Sequence, residues 1–267
     1  MIKWADKPSY DFQDLIEIVR ILRHPGGCPW DQEQTHQSIR RNFIEEACEV
    51  AEAIDEDDPE HLKEELGDVL LQVVFHTSIE EDAGRFNLDD VADGVCRKLI
   101  YRHPHVFGNV TVSSTGEVLS NWEELKKKET HQETQADAVD AVARTLPALW
   151  RAEKIKKKVA KAGFDWLDVS GALDKLSEEL DELKAAALNG SGDPAEELGD
   201  LLLAAVSVAR FLEADPEDAL HKACDKFSIR FRKTEELAEE RGLKLDKLSD
   251  EEQTALWKAA KEELSHT

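Results

Sequence analysis

Several residue types are scarce in this sequence, and their scarcity narrows its class. Aromatic residues make up 6% of the 267 residues, while Ala, Leu, Glu and Lys abound, a composition that favours helices over sheets. The four cysteines are far apart and form no Cys-x-x-Cys pair, which predicts reduced thiols and a cytoplasmic location. No secretory signal opens the chain, and the longest apolar stretch, 201–209, is too short to span a bilayer.

Basic residues are also few in comparison with acidic ones. The chain has 34 Lys and Arg against 58 Asp and Glu, a formal net charge of −24. Because phosphate backbones are held by Lys and Arg, this balance argues against nucleic acid and against an anionic membrane as partners. No Gly-rich phosphate loop of the Walker or dinucleotide type is present, and no Ser or Cys nucleophile lies in a recognisable setting. A phosphorylated small substrate stays compatible with the sequence if a metal ion supplies the positive charge.

Acidic residues form a mirror pattern that occurs twice. In the first half the pattern is symmetric about Asp57, beside the turn signal Asp58-Pro59, and consists of Glu46, Glu49, Glu65 and Asp68. In the second half it is symmetric about Asn189-Gly190 and consists of Glu179, Glu182, Glu197 and Asp200. Residues three apart on a helix share a face. If each stretch folds into two antiparallel helices, the four carboxylates meet across the seam.

Such a meeting of carboxylates is unfavourable without a cation. Two like charges about 4 Å apart repel by roughly 4 kcal/mol at an effective dielectric of 20. One acidic pair alone is typical of a solvated helix face, but a doubled mirror with turn residues at both centres indicates two metal sites. Four facing carboxylates form a cage of hard oxygen ligands, which suits Mg²⁺ or Mn²⁺.

The periodicity predicts an all-α protein made of two tandem helical-bundle modules, residues 1–135 and 136–267. Glu45-Glu46-x-x-Glu49 recurs 133 residues later as Glu178-Glu179-x-x-Glu182, and Glu64-Glu65-Leu-Gly-Asp68 recurs 132 residues later as Glu196-Glu197-Leu-Gly-Asp200. The polar segment 129–140 is predicted to be the linker. Gly67 and Gly199 fall in predicted helix interiors, where glycine costs up to about 1 kcal/mol, so close helix packing beside the carboxylates is expected.

Each half also repeats a basic pair and a tryptophan. Lys98 and Arg102 correspond to Lys226 and Arg230, and the pair of Trp122 and Lys126 corresponds to Trp257 and Lys261. On their own, such residues are typical of surface ion pairs and core anchors. Together with the acidic cage they match a metal-bound nucleotide, because carboxylates hold the metal, cations offset the polyphosphate and an aromatic ring can stack on a base.

These residues resemble the MazG family of nucleoside triphosphate pyrophosphohydrolases, within the all-α NTP pyrophosphatase group. That group's motif is Glu-Glu-x-x-Glu, a spacer of variable length, then Glu-x-x-Asp, and both halves contain it. The likeness covers nearly the whole chain, since it extends to Gly27-Cys-Pro-Trp-Asp31, Arg102-His-Pro-His-Val-Phe-Gly108, Leu146-Pro-Ala-Leu149 and Gly163-Phe-Asp-Trp166.

The resemblance implies Mg²⁺-dependent hydrolysis of nucleoside triphosphates to monophosphate and pyrophosphate by a homodimer, with the C-terminal copy as the main catalyst. Carried over position by position, the metal ligands are Glu179, Glu182, Glu197 and Asp200. The nucleotide site is implied to consist of Lys175, Glu196, Lys226, Arg230, Trp257 and Lys261. Glu46, Glu49, Glu65 and Asp68 form a second candidate metal site, which is either catalytic or a scaffold.

For this reaction we expect water to attack the α-phosphorus, with Glu178 or Glu179 accepting its proton, and the sequence does not choose between them. We expect broad base specificity and a role in nucleotide-pool housekeeping, but the sequence does not give the pocket shape that sets base preference. One alternative is a pyrophosphohydrolase restricted to dUTP, a damaged base or a guanosine alarmone. Another is a non-catalytic helical interaction protein whose acidic faces are merely solvated.

Overall fold

The computed structural model describes Trp4 and residues 6–129 and 134–265, and it confirms the all-α fold class. The described residues form thirteen α-helices and one short 3-10 helix, with no β-strand among them. The chain divides into two compact units, residues 1–126 and 127–267. None of the described helices combines the length and the apolar character needed to cross a membrane.

The helices of the first unit follow one another along residues 12–129. In chain order they are α1 (Phe12–Arg23), α2 (Pro29–Glu33), α3 (His36–Asp55), α4 (Pro59–Asp82), α5 (Leu88–Arg102), α6 (Pro104–Phe107) and α7 (Thr115–Glu129), which continues past the unit boundary. Helices α3 and α4 pack along their length as the first hairpin, and α1 packs on α4. The short helix α2 begins at Pro29, a residue whose fixed φ suits the first helical position.

The helices of the second unit repeat this plan. They are α8 (Gln135–Asp140), α9 (Ala148–Lys161), α10 (Val169–Asn189), α11 (Pro194–Phe211), α12 (Pro216–Glu240) and α13 (Asp250–Ser265), with the 3-10 helix at Leu245–Lys247. Helices α10 and α11 form the second hairpin, α9 packs on α11 and α12, and α12 pairs with α13.

Both hairpins turn where the Asp-Pro and Asn-Gly signals predict. The Asp58 carboxylate accepts hydrogen bonds from the backbone N–H of Glu60 and His61, and Pro59 takes the first helical position. Asp193 caps α11 in the same way. Gly190 ends α10 with a φ of 69°, a left-handed conformation that glycine adopts without strain. These caps fix the register in which the acidic residues face each other.

Small apolar clusters hold the helices together. In the first unit Val19, Ile39, Val74 and Phe75 are buried between α1, α3 and α4. In the second unit Leu237, Ala238, Leu256 and Ala260 close the α12–α13 pair. The Trp150 indole N–H donates to the Asp215 carboxylate at 3.0 Å, which ties α9 to the N-terminal end of α12.

The structure differs from what we expected in the linker segment and at two glycines. The predicted linker 129–140 contains the end of α7 and all of α8, and its residues 130–133 lie outside the described residues. Gly67 and Gly199 do not mark close packing within the chain, because a Cβ added to either would meet nothing within 4 Å. Both lie on exposed helix faces, where no neighbouring helix of their own unit covers them. The predicted boundary at 135/136 lies a few residues beyond the division at 126/127.

A polar network ties the two helices of the first hairpin at the end away from the turn. The His36 Nε2 atom lies 2.5 Å from Glu80 Oε1, and its Nδ1 atom lies 2.7 Å from Nδ1 of His76. Arg85 donates to the same Glu80 carboxylate at 2.7 Å. Arg85 above all, with His36, lowers the pKa of Glu80 to about 2, while burial and the charge of His36 lower the pKa of His76.

We predict that Glu80→Gln destabilises the protein most at neutral pH. The depressed pKa of Glu80 means that its ionised form contributes stability above its ordinary pKa near 4.5, and this contribution is lost as the pH falls towards about 2. Urea unfolding of wild type and variant between pH 7 and pH 3.5 measures the difference, which should shrink with acidity. Glu81→Gln is the matched control, because Glu81 makes only an exposed contact with Arg20. A difference that stays constant over this range would contradict the assignment.

Candidate active site

The second hairpin brings three of its four predicted carboxylates together. Glu179, Glu197 and Asp200 each offer an oxygen within 4.8 Å of the others, and we call them the second carboxylate group. Glu179 is buried at 6% exposure, whereas Asp200 is open to solvent. Glu182 lies outside the group but next to it, since burial and the charge of Glu179 raise the pKa of Glu182.

The first hairpin forms a matching arrangement. Glu46, Glu49 and Glu65 offer oxygens within 4.8 Å of one another and are the first carboxylate group. Burial and the neighbouring carboxylates, Asp68 among them, raise the pKa of Glu46, so Asp68 is close although outside the group. His61 Nε2 lies 3.2 Å from Glu65 Oε1, a contact that the second hairpin lacks because Asp193, its N-cap, stands at the equivalent position.

The donor set of both groups fits a hard divalent cation. The ligands are all carboxylate oxygens, and oxygens around an octahedral Mg²⁺ at 2.0–2.1 Å lie about 3–4 Å apart, so only a small inward movement is needed. The raised pKa values of Glu46, Glu65 and Glu182 show that burial and mutual repulsion oppose their ionisation. A bound cation relieves both effects.

Lys175 and the two candidate general bases are in direct contact. The Lys175 ammonium pairs with Glu178 at 2.7 Å and with Glu179 at 2.8 Å, and these two carboxylates raise the pKa of Lys175. Glu178 is exposed and stands outside the second carboxylate group, whereas Glu179 belongs to it. Glu196 is exposed in the first turn of α11.

The predicted basic residues of the second unit meet in a cleft between α12 and α13. Lys226, Arg230 and Lys261 line a cavity of about 500 Å³, the cationic cleft, together with Lys222, Asp225 and Ile229. The Arg230 guanidinium lies 5.0 Å from the centre of the Trp257 ring. Trp257 also faces a larger cavity of about 640 Å³ that contains Phe227 and Phe231. None of the residues described around these two cavities is a predicted metal ligand.

The first unit repeats the contact between arginine and tryptophan. The Arg102 guanidinium lies 5.2 Å from the Trp122 ring centre, and the Lys126 ammonium lies 5.0 Å from it. Sequence spacing pairs Arg102 with Arg230 and Trp122 with Trp257. In the structure the two arginine–tryptophan pairs also make the same kind of contact.

One residue near the second carboxylate group was missed by sequence reasoning. Lys156 on α9 is half-buried, and its charge interacts with Glu179 and Asp200. Burial and the charge of Arg210 lower the pKa of Lys156. The only sequence signal was its position on an amphipathic helix ahead of the motif. Because residues 156–158 are all lysines, the sequence does not show which of them points towards the protein interior.

Comparison with known proteins agrees with this architecture. The sequence model of the MazG nucleotide pyrophosphohydrolase domain matches residues 34–107. A Thermotoga maritima protein named nucleoside triphosphate pyrophosphohydrolase/pyrophosphatase MazG is 45% identical over 94% of this chain and 95% of its own length. The Escherichia coli K12 nucleoside triphosphate pyrophosphohydrolase is 42% identical over 92% of this chain and 95% of its own length. The uncharacterized protein YabN of Bacillus subtilis is 48% identical over 95% of this chain, which spans 52% of YabN.

The chain therefore belongs to the MazG family of nucleoside triphosphate pyrophosphohydrolases.

We predict that Glu182→Gln raises the stability of the metal-free protein at pH 7.5 and weakens its response to Mg²⁺. A carboxyl group whose folded-state pKa is raised lowers stability once the pH exceeds that pKa, so removing its charge removes the penalty. Wild type should gain about 2.7 kcal/mol at a Mg²⁺ concentration 100 times the dissociation constant. Melting temperatures with EDTA and with Mg²⁺ test this. The control is Asp181→Asn, an exposed neighbour that pairs with Lys184, and equal responses in both variants would refute the prediction.

Proposed function

We propose that this chain hydrolyses nucleoside triphosphates to nucleoside monophosphates and pyrophosphate with Mg²⁺, and that Mn²⁺ can substitute. The observation that carries the proposal is the convergence of Glu179, Glu197 and Asp200 across the second hairpin. The names of the Thermotoga maritima and Escherichia coli relatives support the same reaction. The second unit is the proposed catalytic copy, because its carboxylate group has both Lys175 and Lys156 beside it.

The proposed metal ligands and the proposed general base are different residues. Glu179, Glu197 and Asp200, with Glu182 beside them, would hold Mg²⁺, which supplies charge neutralisation for the phosphate oxygens and a lowered pKa of the attacking water. Glu178 is the better placed of the two candidate bases, because Lys175 contacts both carboxylates but only Glu178 lies outside the carboxylate group that would hold the metal.

The cationic cleft would bind the polyphosphate and position the base. Lys226, Arg230 and Lys261 concentrate positive charge in one cavity on a strongly acidic protein. Trp257 lines the larger, partly aromatic cavity and contacts Arg230 of the cationic cleft, which makes it the proposed stacking partner of the base. Because every base has a face that can stack, recognition of this kind favours broad base specificity. A substrate panel of the common NTPs, dUTP and a guanosine alarmone at fixed Mg²⁺ tests it.

We further propose that the protein is a homodimer of the cytoplasm that binds neither nucleic acid nor membranes. Helices α10 and α11 expose four large apolar side chains, Leu173, Leu180, Leu198 and Leu202, each at 41% or more. A row of exposed apolar residues of this kind is typical of a surface that another chain covers. All four cysteines are free, as a reducing compartment requires. Sedimentation equilibrium should give twice the chain mass of 30.1 kDa, and a monomer at micromolar concentration would reject the dimer.

We predict that Glu179→Gln and Asp200→Asn each reduce Mg²⁺-dependent pyrophosphate release by at least about 100-fold while helicity persists. Each change removes one charged oxygen ligand from the proposed metal site, which weakens metal binding and the charge stabilisation that it supplies. Pyrophosphate release from mixed NTPs and circular dichroism of the same samples measure the two properties. Retained activity in both variants would reject the second carboxylate group as the site.

The equivalent variants of the first hairpin separate a second active site from a scaffold. If the first carboxylate group is a scaffold, Glu46→Gln and Asp68→Asn keep most of the pyrophosphate release of wild type. If the first carboxylate group is catalytic, variants of the second hairpin retain some activity, and Glu46→Gln and Asp68→Asn each remove part of that remainder. Absence of any pyrophosphate release from wild type would favour the non-catalytic interaction protein.

A further inference from the structure

Lys156 faces the second carboxylate group from outside the hairpin. It lies on α9, which packs on α11, the helix that carries Glu197 and Asp200. Its charge interacts with Glu179, Asp200 and Asp165, and it is repelled by Arg210. In the described part of the chain no side chain forms an ion pair or a hydrogen bond with its ammonium group. The next residue, Lys157, is by contrast exposed and paired with Glu153 at 2.7 Å.

The loop that contains Gly163-Phe-Asp-Trp166 positions this lysine. The Lys156 ammonium lies 5.2 Å from the centre of the Trp166 ring. Trp166 in turn packs against the start of α10 so closely that a Cβ on Gly171 would lie 2.7 Å from the ring. Arg210 of α11 donates to the Asp165 carboxylate at 2.5 Å, which anchors the same loop. Two separate contacts, of Trp166 with Gly171 and of Asp165 with Arg210, therefore fix the loop. They hold the Trp166 ring against Lys156.

The electrostatic balance around Lys156 changes when a cation occupies the carboxylate group. Without the cation, Asp165, Glu179 and Asp200 offset its positive charge at a distance. With the cation bound, the charges of Glu179 and Asp200 are neutralised and Asp165 is already paired with Arg210, so the half-buried ammonium needs a further anionic partner close by. Phosphate oxygens held by the same cation would supply that partner, and lysine binds phosphate as a compact point charge.

We propose that Lys156 is a phosphate-binding residue of the active site, which contacts the polyphosphate of the bound nucleotide and the pyrophosphate product. Trp166 is its positioning residue, because the ring limits where the ammonium can lie. The inference rests on the proposed function for the identity of the anion. It assigns a role to the Gly163–Trp166 loop, which the metal and nucleotide residues carried over from the family leave without one.

The experiment compares Lys156→Met with Lys157→Met in the full-length protein. Three quantities are measured in each: KM and kcat for an NTP, the dissociation constant of inorganic pyrophosphate in the presence of Mg²⁺, and the rise in melting temperature caused by Mg²⁺ alone. Lys156→Met should raise KM and the pyrophosphate dissociation constant by about 10- to 100-fold, the loss expected for a hydrogen bond between charged groups. Its Mg²⁺-induced shift in melting temperature should stay, and Lys157→Met should resemble wild type in all three measurements.

Lys156→Arg distinguishes binding from packing. Arginine keeps the positive charge, so it should recover a substantial part of the pyrophosphate affinity that methionine loses. If Lys156→Met binds pyrophosphate as wild type does, or if arginine restores nothing, the proposal is overturned. The equilibrium measurement needs no turnover, so it tests Lys156 even if wild type hydrolyses none of the NTPs supplied, a result that would count against the proposed reaction and not against this residue.

Discussion

Repulsion between carboxylates across a helical hairpin is the constraint on which this protein depends. Each hairpin brings three acidic side chains within 4.8 Å, and burial of Glu65 and Glu179 removes the water that would otherwise screen them. The Asp-Pro caps and the apolar contacts of α1 and α9 enforce a geometry that the charges alone would oppose. A fold that holds like charges together in this way favours the binding of a cation. The lysines around the carboxylates favour an anion that binds together with that cation.

The two units share this design but differ in the cations around it. In the second unit Lys175 pairs with Glu179, and Lys156 lies near the same group with no ion-pair partner among the residues that the structure describes. In the first unit His61 lies against Glu65. Both units keep an arginine against a tryptophan, Arg102 with Trp122 and Arg230 with Trp257. The contact between arginine and tryptophan is therefore duplicated, whereas the charged residues around the carboxylate groups differ between the copies.

Much of the fold could be predicted from the sequence because its signals are local. Asp58-Pro59, Asp193-Pro194 and Asn189-Gly190 predicted the turns, and the mirror about each turn predicted which acidic residues meet. What the sequence did not show depends on contacts between distant elements. Glu182 and Asp68 lie just outside their groups although Glu49 and Glu197, which have the same spacing of three from a neighbouring carboxylate, lie within theirs, so the difference arises from how the helices pack and not from the spacing. Lys156 approaches from a third helix, and the exposure of Gly67 and Gly199 depends on which helices pack beside them.

The histidine and glutamate network of the first hairpin has a mechanical consequence. At the positions that correspond to His36, His76 and Glu80 by the repeat spacing, the second hairpin carries Val169, Val208 and Leu212. Directional bonds lock the separation and the sliding of α3 against α4, whereas apolar side chains resist separation but let helices slip past each other. The second hairpin has no polar side chains at these three positions, so the separation of α10 and α11 at this end is not set by directional bonds like those between α3 and α4.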